Sequence, residues 1–246
     1  MANTLQQLDS FGQSIWLDNI NRVMIESGKL KELISQGLLG MTSNPTIFDK
    51  AISSSSEYDE KMIKLAKEGK STFEIYDELT VKDVQDAIDI FKSVYEKTKG
   101  LDGYVSLEIN PKLAYNIKET IAEGKRLWKK VNRANLMLKV PSTNEGFGAV
   151  EELTALGMNI NITLIFSLEQ YINTFKAYIN GIKRFIEGGG DESKVHSVAS
   201  VFVSRIDTVV DAMLDKMMPK ANSQQEKVKL ENLKGKAAVA NSAIIY

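Results

Sequence analysis

Six short apolar runs punctuate the chain, at residues 14–20, 38–43, 104–109, 136–140, 160–166 and 198–203. Each has the length of a strand and is bounded by turn-forming or polar residues. Helical spacing fills the intervals, notably 112–130, 145–156, 168–186 and 206–217. In the third of these, Leu168, Tyr171, Ile172, Phe175, Tyr178, Ile179 and Ile182 form one apolar stripe. Residues 48–97 read as two or three helices. Beyond Arg205 the pattern is helical to Tyr246, with 234–246 an alanine-rich amphipathic segment.

Strand-then-helix repetition implies a parallel sheet buried on both faces, either doubly wound or closed as a (β/α)8 barrel. No Gly-x-Gly-x-x-Gly follows the first run, and no Gly-Lys-Ser/Thr loop occurs, which disfavours a nucleotide-binding doubly wound sheet. Polar and charged residues near the carboxyl ends of several runs favour the barrel, where such ends carry the chemistry. The expected architecture is therefore a single α/β barrel domain over residues 1–246. It stops after about six strands, short of the seventh and eighth. Such a sheet would expose two long parallel edges, a liability for aggregation unless further chain or a partner covers them.

Composition narrows the function. The 246 residues carry a formal net charge of −1, with 43% hydrophobic and 26% charged residues, so no nucleic-acid partner is expected. The absence of cysteine removes disulfides, thiolate nucleophiles and cysteine metal sites. One histidine, His196, removes multi-histidine metal motifs, and its place before an apolar run favours strand entry over acid–base work. No secretory signal or membrane-length apolar run is evident, so a cytoplasmic enzyme is the expectation.

Lys139 lies inside the apolar run Leu-Met-Leu-Lys-Val. A charged lysine there must pair, neutralise or reach solvent at the strand end. Desolvation would lower its pKa from about 10.4, as a carbonyl-attacking amine requires; the alternative is an ion-paired strand-tip lysine. Glu108 follows Ser106 by two residues, so both face one side of a strand, and Asp18 holds a similar place in the first run. Together Asp18, Glu108 and Lys139 supply an amine and two carboxylates for carbinolamine chemistry, or else an internal salt-bridge cluster. Asn161 and Thr163 share another strand face and need partners, from sugar hydroxyls, water or neighbouring side chains. Asn44, held extended before Pro45, either orients a substrate or caps the next helix. Arg205, beside Ser200 and Ser204 at a strand-to-helix junction, suits a phosphate or a pairing with Asp207. The three glycines at 188–190 read as a turn.

Five segments together resemble the transaldolases: Leu-Lys-Val-Pro-Ser-Thr-Asn-Glu-Gly around Lys139; Thr-Ser-Asn-Pro-Thr-Ile-Phe-Asp-Lys-Ala-Ile from Thr42; Val-Ser-Leu-Glu-Ile from Val105; Asn-Ile-Thr-Leu-Ile-Phe-Ser from Asn161; and Val-Phe-Val-Ser-Arg-Ile-Asp from Val201. They occur in the family's order, and the resemblance runs from about Ser14 to the last residue. It implies a class I aldolase barrel in which Lys139 forms a Schiff base with a ketose phosphate. Glu108 and Thr163 would hold a proton-shuttling water, and Asp18 would act at the hydroxyl freed by cleavage. Asn44, Ser106 and Asn161 would bind the donor, and Ser200 and Arg205 the phosphate. The implied reaction passes a dihydroxyacetone unit from sedoheptulose 7-phosphate to glyceraldehyde 3-phosphate, giving erythrose 4-phosphate and fructose 6-phosphate, without metal or cofactor. Sugar phosphates are the expected partners, with a homo-oligomer left open. The alternatives are another Schiff-base aldolase on the same fold, or an inactive barrel fragment of a longer chain, such as one fused to an isomerase.

Overall fold

The computed structural model describes residues 3–246. Along the chain run α1 (Thr4–Ser10), β1 (Trp16–Asp18), α2 (Arg22–Glu26), α3 (Lys29–Ser35), β2 (Gly40–Thr42), α4 (Pro45–Ser53), α5 (Asp59–Lys67), α6 (Thr72–Lys97) and β3 (Val105–Glu108). Then follow α7 (Ile117–Val131), β4 (Leu136–Pro141), α8 (Asn144–Ala155), β5 (Ile160–Ile165), α9 (Leu168–Glu187), β6 (Ser197–Val201), α10 (Ser204–Met217), α11 (Gln224–Leu233) and α12 (Ala237–Ile245). Every apolar run became a strand.

The six strands are parallel and lie side by side in chain order, β1 to β6. A doubly wound sheet reverses its strand order near the middle, whereas a barrel adds each strand beside the last. The sequential order therefore makes this an α/β part-barrel of six strands. Strand alternation builds its two faces. In β4, Leu136, Leu138 and Val140 join the apolar layer under the helices, with Val150 and Leu153 of α8 and Leu127 of α7. Each is essentially fully buried, worth about 1.5–3 kcal/mol per side chain relative to exposure. Met137, Lys139 and Pro141, alternating with them, take the other face.

Local chemistry fixes where the helices begin. Asn44, Ser71, Thr143 and Ser167 each accept a backbone N–H of the first turn that follows, which ends the preceding segment and starts the helix. Gly103 enters β3 at φ +85°, and a Cβ there would stand 2.4 Å from the Tyr95 nitrogen, so only glycine fits.

Four features depart from the sequence reading. Helices α1, α2 and α3 went unanticipated, being only seven, five and seven residues long. Segment 234–246 is not amphipathic: α12 is apolar around most of its circumference, with Val239 and Ile244 exposed while Ala238 and Ile245 are buried. The sheet edges are short rather than long, three residues in β1 and five in β6. Finally, β5 is irregular: Ile162 pairs with Ala199 but Ile165 with Val201, so β5 carries one extra residue.

Candidate active site

The carboxyl ends of the strands converge on Lys139. Its side chain is buried, the residue being 6% exposed, and Nζ donates to the Ser43 carbonyl at 3.3 Å. No carboxylate lies within 4.0 Å of it among the described residues, so Asp18, Glu108 and Lys139 do not form a salt-bridge cluster.

Glu108 is the register partner of Lys139 on β3, and Asn161 its partner on β5. Burial pushes the Glu108 carboxyl above its ordinary value, against the opposing pull of Lys139 and Arg205, while Asp18 adds to the rise. A carboxyl poised upward in this way can both give and take a proton nearer neutrality. Asp18, itself exposed, ends the edge strand β1, and its Oδ1 accepts the Thr42 hydroxyl at 2.6 Å.

Below these groups runs a hydrogen-bonded line of neutral side chains. Ser200 donates to Asn161 Oδ1 at 2.8 Å, and Asn161 Nδ2 donates to Ser106 Oγ at 3.0 Å. The line fixes the Asn161 amide, and it leaves Ser200 able to accept a further bond. Thr163 is different: its buried hydroxyl has no hydrogen-bond partner among the described residues. An orphaned buried hydroxyl facing a cavity calls for water or a ligand atom.

Two adjoining cavities, of about 360 and 250 Å³, open over these side chains and share Asp18, Lys139, Thr163 and Phe202. The first also reaches Thr42, Ser200 and Ser204. The second reaches Asn44, Glu108, Leu164 and Arg205. Arg205, in the first turn of α10, is exposed, with its guanidinium 4.5 Å above the Phe202 ring. It makes no ion pair with Asp207, which instead accepts the Ala238 N–H at the start of α12. Asn44 caps α4 by accepting from Ile47 N at 3.0 Å, and it also lines the second cavity. Thus Asp18, Asn44, Glu108, Lys139, Thr163, Ser200 and Arg205 all reach the cavities, while Ser106 and Asn161 lie fully buried beneath.

His196 sits at the opposite end of the sheet, entering β6 near Tyr104, with Nε2 3.1 Å from the Ser193 carbonyl. Gly188 to Gly190 form the turn that ends α9. A larger hollow, about 730 Å³, lies between α2, α5 and α6. Its lysines, arginine and carboxylates are of mixed sign on the outer helical layer, remote from the strand ends. Among the described residues, no three His, Cys, Asp or Glu side chains converge as a metal would require. Sequence reasoning gave no role to Thr42, the Ser43 carbonyl or Phe202, though all three stand within motifs it singled out.

The family model described as Transaldolase/Fructose-6-phosphate aldolase matches residues 15–246. A Transaldolase from Trichodesmium erythraeum is 47% identical over 247 residues, covering 100% of this chain and 65% of that protein. A Transaldolase 2 from Nostoc sp. is 43% identical over 246 residues, covering 99% of this chain and 65% of that one. The chain therefore spans about 65% of the length of these curated relatives. A solved structure from Coccidioides immitis, described as a fructose-1,6-biphosphate aldolase, overlays at a TM-score of 0.35 with 12% identity over 98% of this chain and 92% of that one. So loose an overlay carries no argument about the site.

Proposed function

The chain belongs to the transaldolase/fructose-6-phosphate aldolase family, and on that premise we propose that it carries the site of a transaldolase. Lys139 forms a Schiff base with a ketose phosphate, and a dihydroxyacetone unit passes from sedoheptulose 7-phosphate to glyceraldehyde 3-phosphate. The products are erythrose 4-phosphate and fructose 6-phosphate, and the setting is the pentose phosphate pathway of the cytoplasm. The observation that carries this reading is a buried lysine with no carboxylate partner among the described residues, beside a carboxyl raised by burial and a buried threonine hydroxyl that no described residue satisfies.

The steps balance without an external electron acceptor. The Lys139 amine adds to the donor C2 carbonyl, and the carbinolamine loses water to give an iminium. Protonation of the leaving hydroxyl falls to a water held between Glu108 and Thr163, whose hydroxyl has no other partner. Asp18 then takes the proton of the C4 hydroxyl, the C3–C4 bond breaks, and its electron pair flows into the iminium. An aldose phosphate leaves and an enamine remains on Lys139. The enamine attacks the incoming aldehyde, Asp18 returns its proton to the new alkoxide, and water hydrolyses the iminium. Asn44 and Asn161 orient the donor hydroxyls over Ser106. Ser200 and Arg205 hold the phosphate, the guanidinium by its planar fork.

A simple aldolase would release the three-carbon ketone, whereas a transaldolase keeps it on the lysine until an aldehyde arrives. The discriminating assay is fructose 6-phosphate with and without erythrose 4-phosphate, with both dihydroxyacetone and sedoheptulose 7-phosphate measured. Product only when acceptor is present supports the transaldolase reading. Free dihydroxyacetone released at the same rate without acceptor would replace it with an aldolase.

A further inference from the structure

The irregularity in β5 lies at the centre of the site. Between Ile162 and Ile165 the strand gains one residue against β6, and Leu164 adopts φ +62°. A left-handed backbone is disfavoured at a residue bearing a Cβ, and such strain persists only where the surroundings enforce it. Its effect is on alternation. A regular strand would send Thr163 and Leu164 to opposite faces. Here both line the cavity beside Lys139, and Ile165 is returned to the apolar layer.

Two polar side chains enforce the conformation. The Leu164 carbonyl accepts from Ser142 Oγ at 2.8 Å and from Gln170 Nε2 at 3.3 Å. Gln170 Nε2 also reaches Ser142 Oγ at 3.0 Å and the Ser142 carbonyl at 3.2 Å. The other end of the same amide, Oε1, accepts Phe166 N at 2.9 Å. Ser142 N meanwhile donates to the Thr163 carbonyl at 2.8 Å. Gln170 stands three residues after the N-cap Ser167, where a capping box would turn its side chain to the cap's own N–H. It reaches one residue further back instead, and grips both sides of the bulge.

The geometry points to Gln170 and Ser142 as positioning residues that lock the β5 bulge and so set the Thr163 hydroxyl against the Schiff-base lysine. The inference rests on the proposed Lys139 chemistry for its catalytic consequence, but not for its structural one. Neither residue touches the cavity's reacting atoms. Both act through Leu164 and Thr163, and a misplacement of about 1 Å at such a hydroxyl is worth up to about 100-fold in rate.

The test compares Gln170→Leu and Ser142→Ala with the parent chain, with Ser142→Thr as the conservative variant that keeps the hydroxyl. Crystal structures of the variants read the Leu164 φ directly. Kinetics with fructose 6-phosphate and erythrose 4-phosphate read kcat and KM, and borohydride trapping reads the Lys139 adduct. The expected result is a Leu164 that leaves the left-handed region, kcat lowered about 10- to 100-fold with KM within about threefold, an adduct still formed, and Ser142→Thr near the parent. In a Thr163→Val background, Gln170→Leu should cause no further loss of kcat, since both act at one point. A Leu164 φ that stays positive in both variants, or kinetic losses that simply multiply with Thr163→Val, overturns the proposal. If Gln170→Leu fails to melt cooperatively, Ser142→Ala alone carries the comparison. If the parent chain forms no adduct, the Schiff-base reading fails, and the Leu164 φ in the variants then decides the lock by itself.

Discussion

Replacing Arg22 with methionine should remove the support of the segment that carries Asp18. Arg22 begins α2, four residues after Asp18, and its Nε and Nη2 donate to Asp83 Oδ1 at 2.9 and 2.7 Å. Tyr58 Oη donates to Asp83 Oδ2 at 2.7 Å and accepts from Arg22 N at 3.0 Å. The Asp83 side chain is 1% exposed. Without the guanidinium it is a buried carboxylate with one donor left, a loss of about 3–5 kcal/mol. The sign of the pH dependence follows from Asp83. Burial already holds its carboxyl above the ordinary value, against the pull of Tyr58 and Arg22, and removing Arg22 raises it further. Between an ordinary aspartate pKa of about 3.9 and the raised folded value, the native state holds a proton that the unfolded chain has lost. Stability therefore falls as pH rises through that window, by up to about 1.4 kcal/mol per pH unit, and levels off above it. Urea unfolding of parent and Arg22→Met, followed by circular dichroism at pH 5 and pH 8, measures both effects. The penalty should be largest at pH 8, and Asp83→Asn added to Arg22→Met should recover part of it. A loss below about 1 kcal/mol at pH 8, or one independent of pH, would refute the claim that a buried, paired carboxylate anchors this turn.

Three other expectations concern the site and its frame. Burial raises the Glu108 carboxyl, so the acidic limb of the kcat/KM profile should lie above the usual carboxylate value of about 4.3, and Glu108→Gln should abolish that limb; an unchanged limb in the variant would remove Glu108 from proton transfer. Arg205→Lys keeps the charge but loses the planar fork and the stacking on Phe202, so KM for the phosphorylated donor should rise about 10-fold with a smaller change in kcat. Gly103→Ala places a Cβ 2.4 Å from the Tyr95 nitrogen at φ +85°, and should lower stability by more than about 2 kcal/mol in a thermal or urea melt.

The strands were legible in the sequence because each is an apolar run with polar ends, and a parallel sheet covered by helices demands that pattern. Their carboxyl ends were legible because Asp18, Glu108, Lys139 and Thr163 interrupt the apolar runs there, the last two at buried positions. Short α1, α2 and α3 were not, since one or two turns carry too few apolar positions to show a period. The bulge left no trace either, because leucine gives no warning of φ +62° as a glycine would have done. Its lock joins Ser142 to Gln170, 28 residues apart, and the Arg22–Asp83 pair spans 61 residues. Contacts of that kind are set by how the strands and helices meet. The one local hint was Ser167 and Gln170 at capping-box spacing, and there the side chain does something else.

The central claim is that Lys139 is the Schiff-base nucleophile, and borohydride reduction in the presence of fructose 6-phosphate tests it most directly. Peptide mapping by mass spectrometry should find one reduced adduct, of the mass of a dihydroxyacetone or hexose phosphate unit, on Lys139, and none in Lys139→Met. A chain that melts cooperatively yet gives no adduct, or gives one on another lysine, contradicts the account.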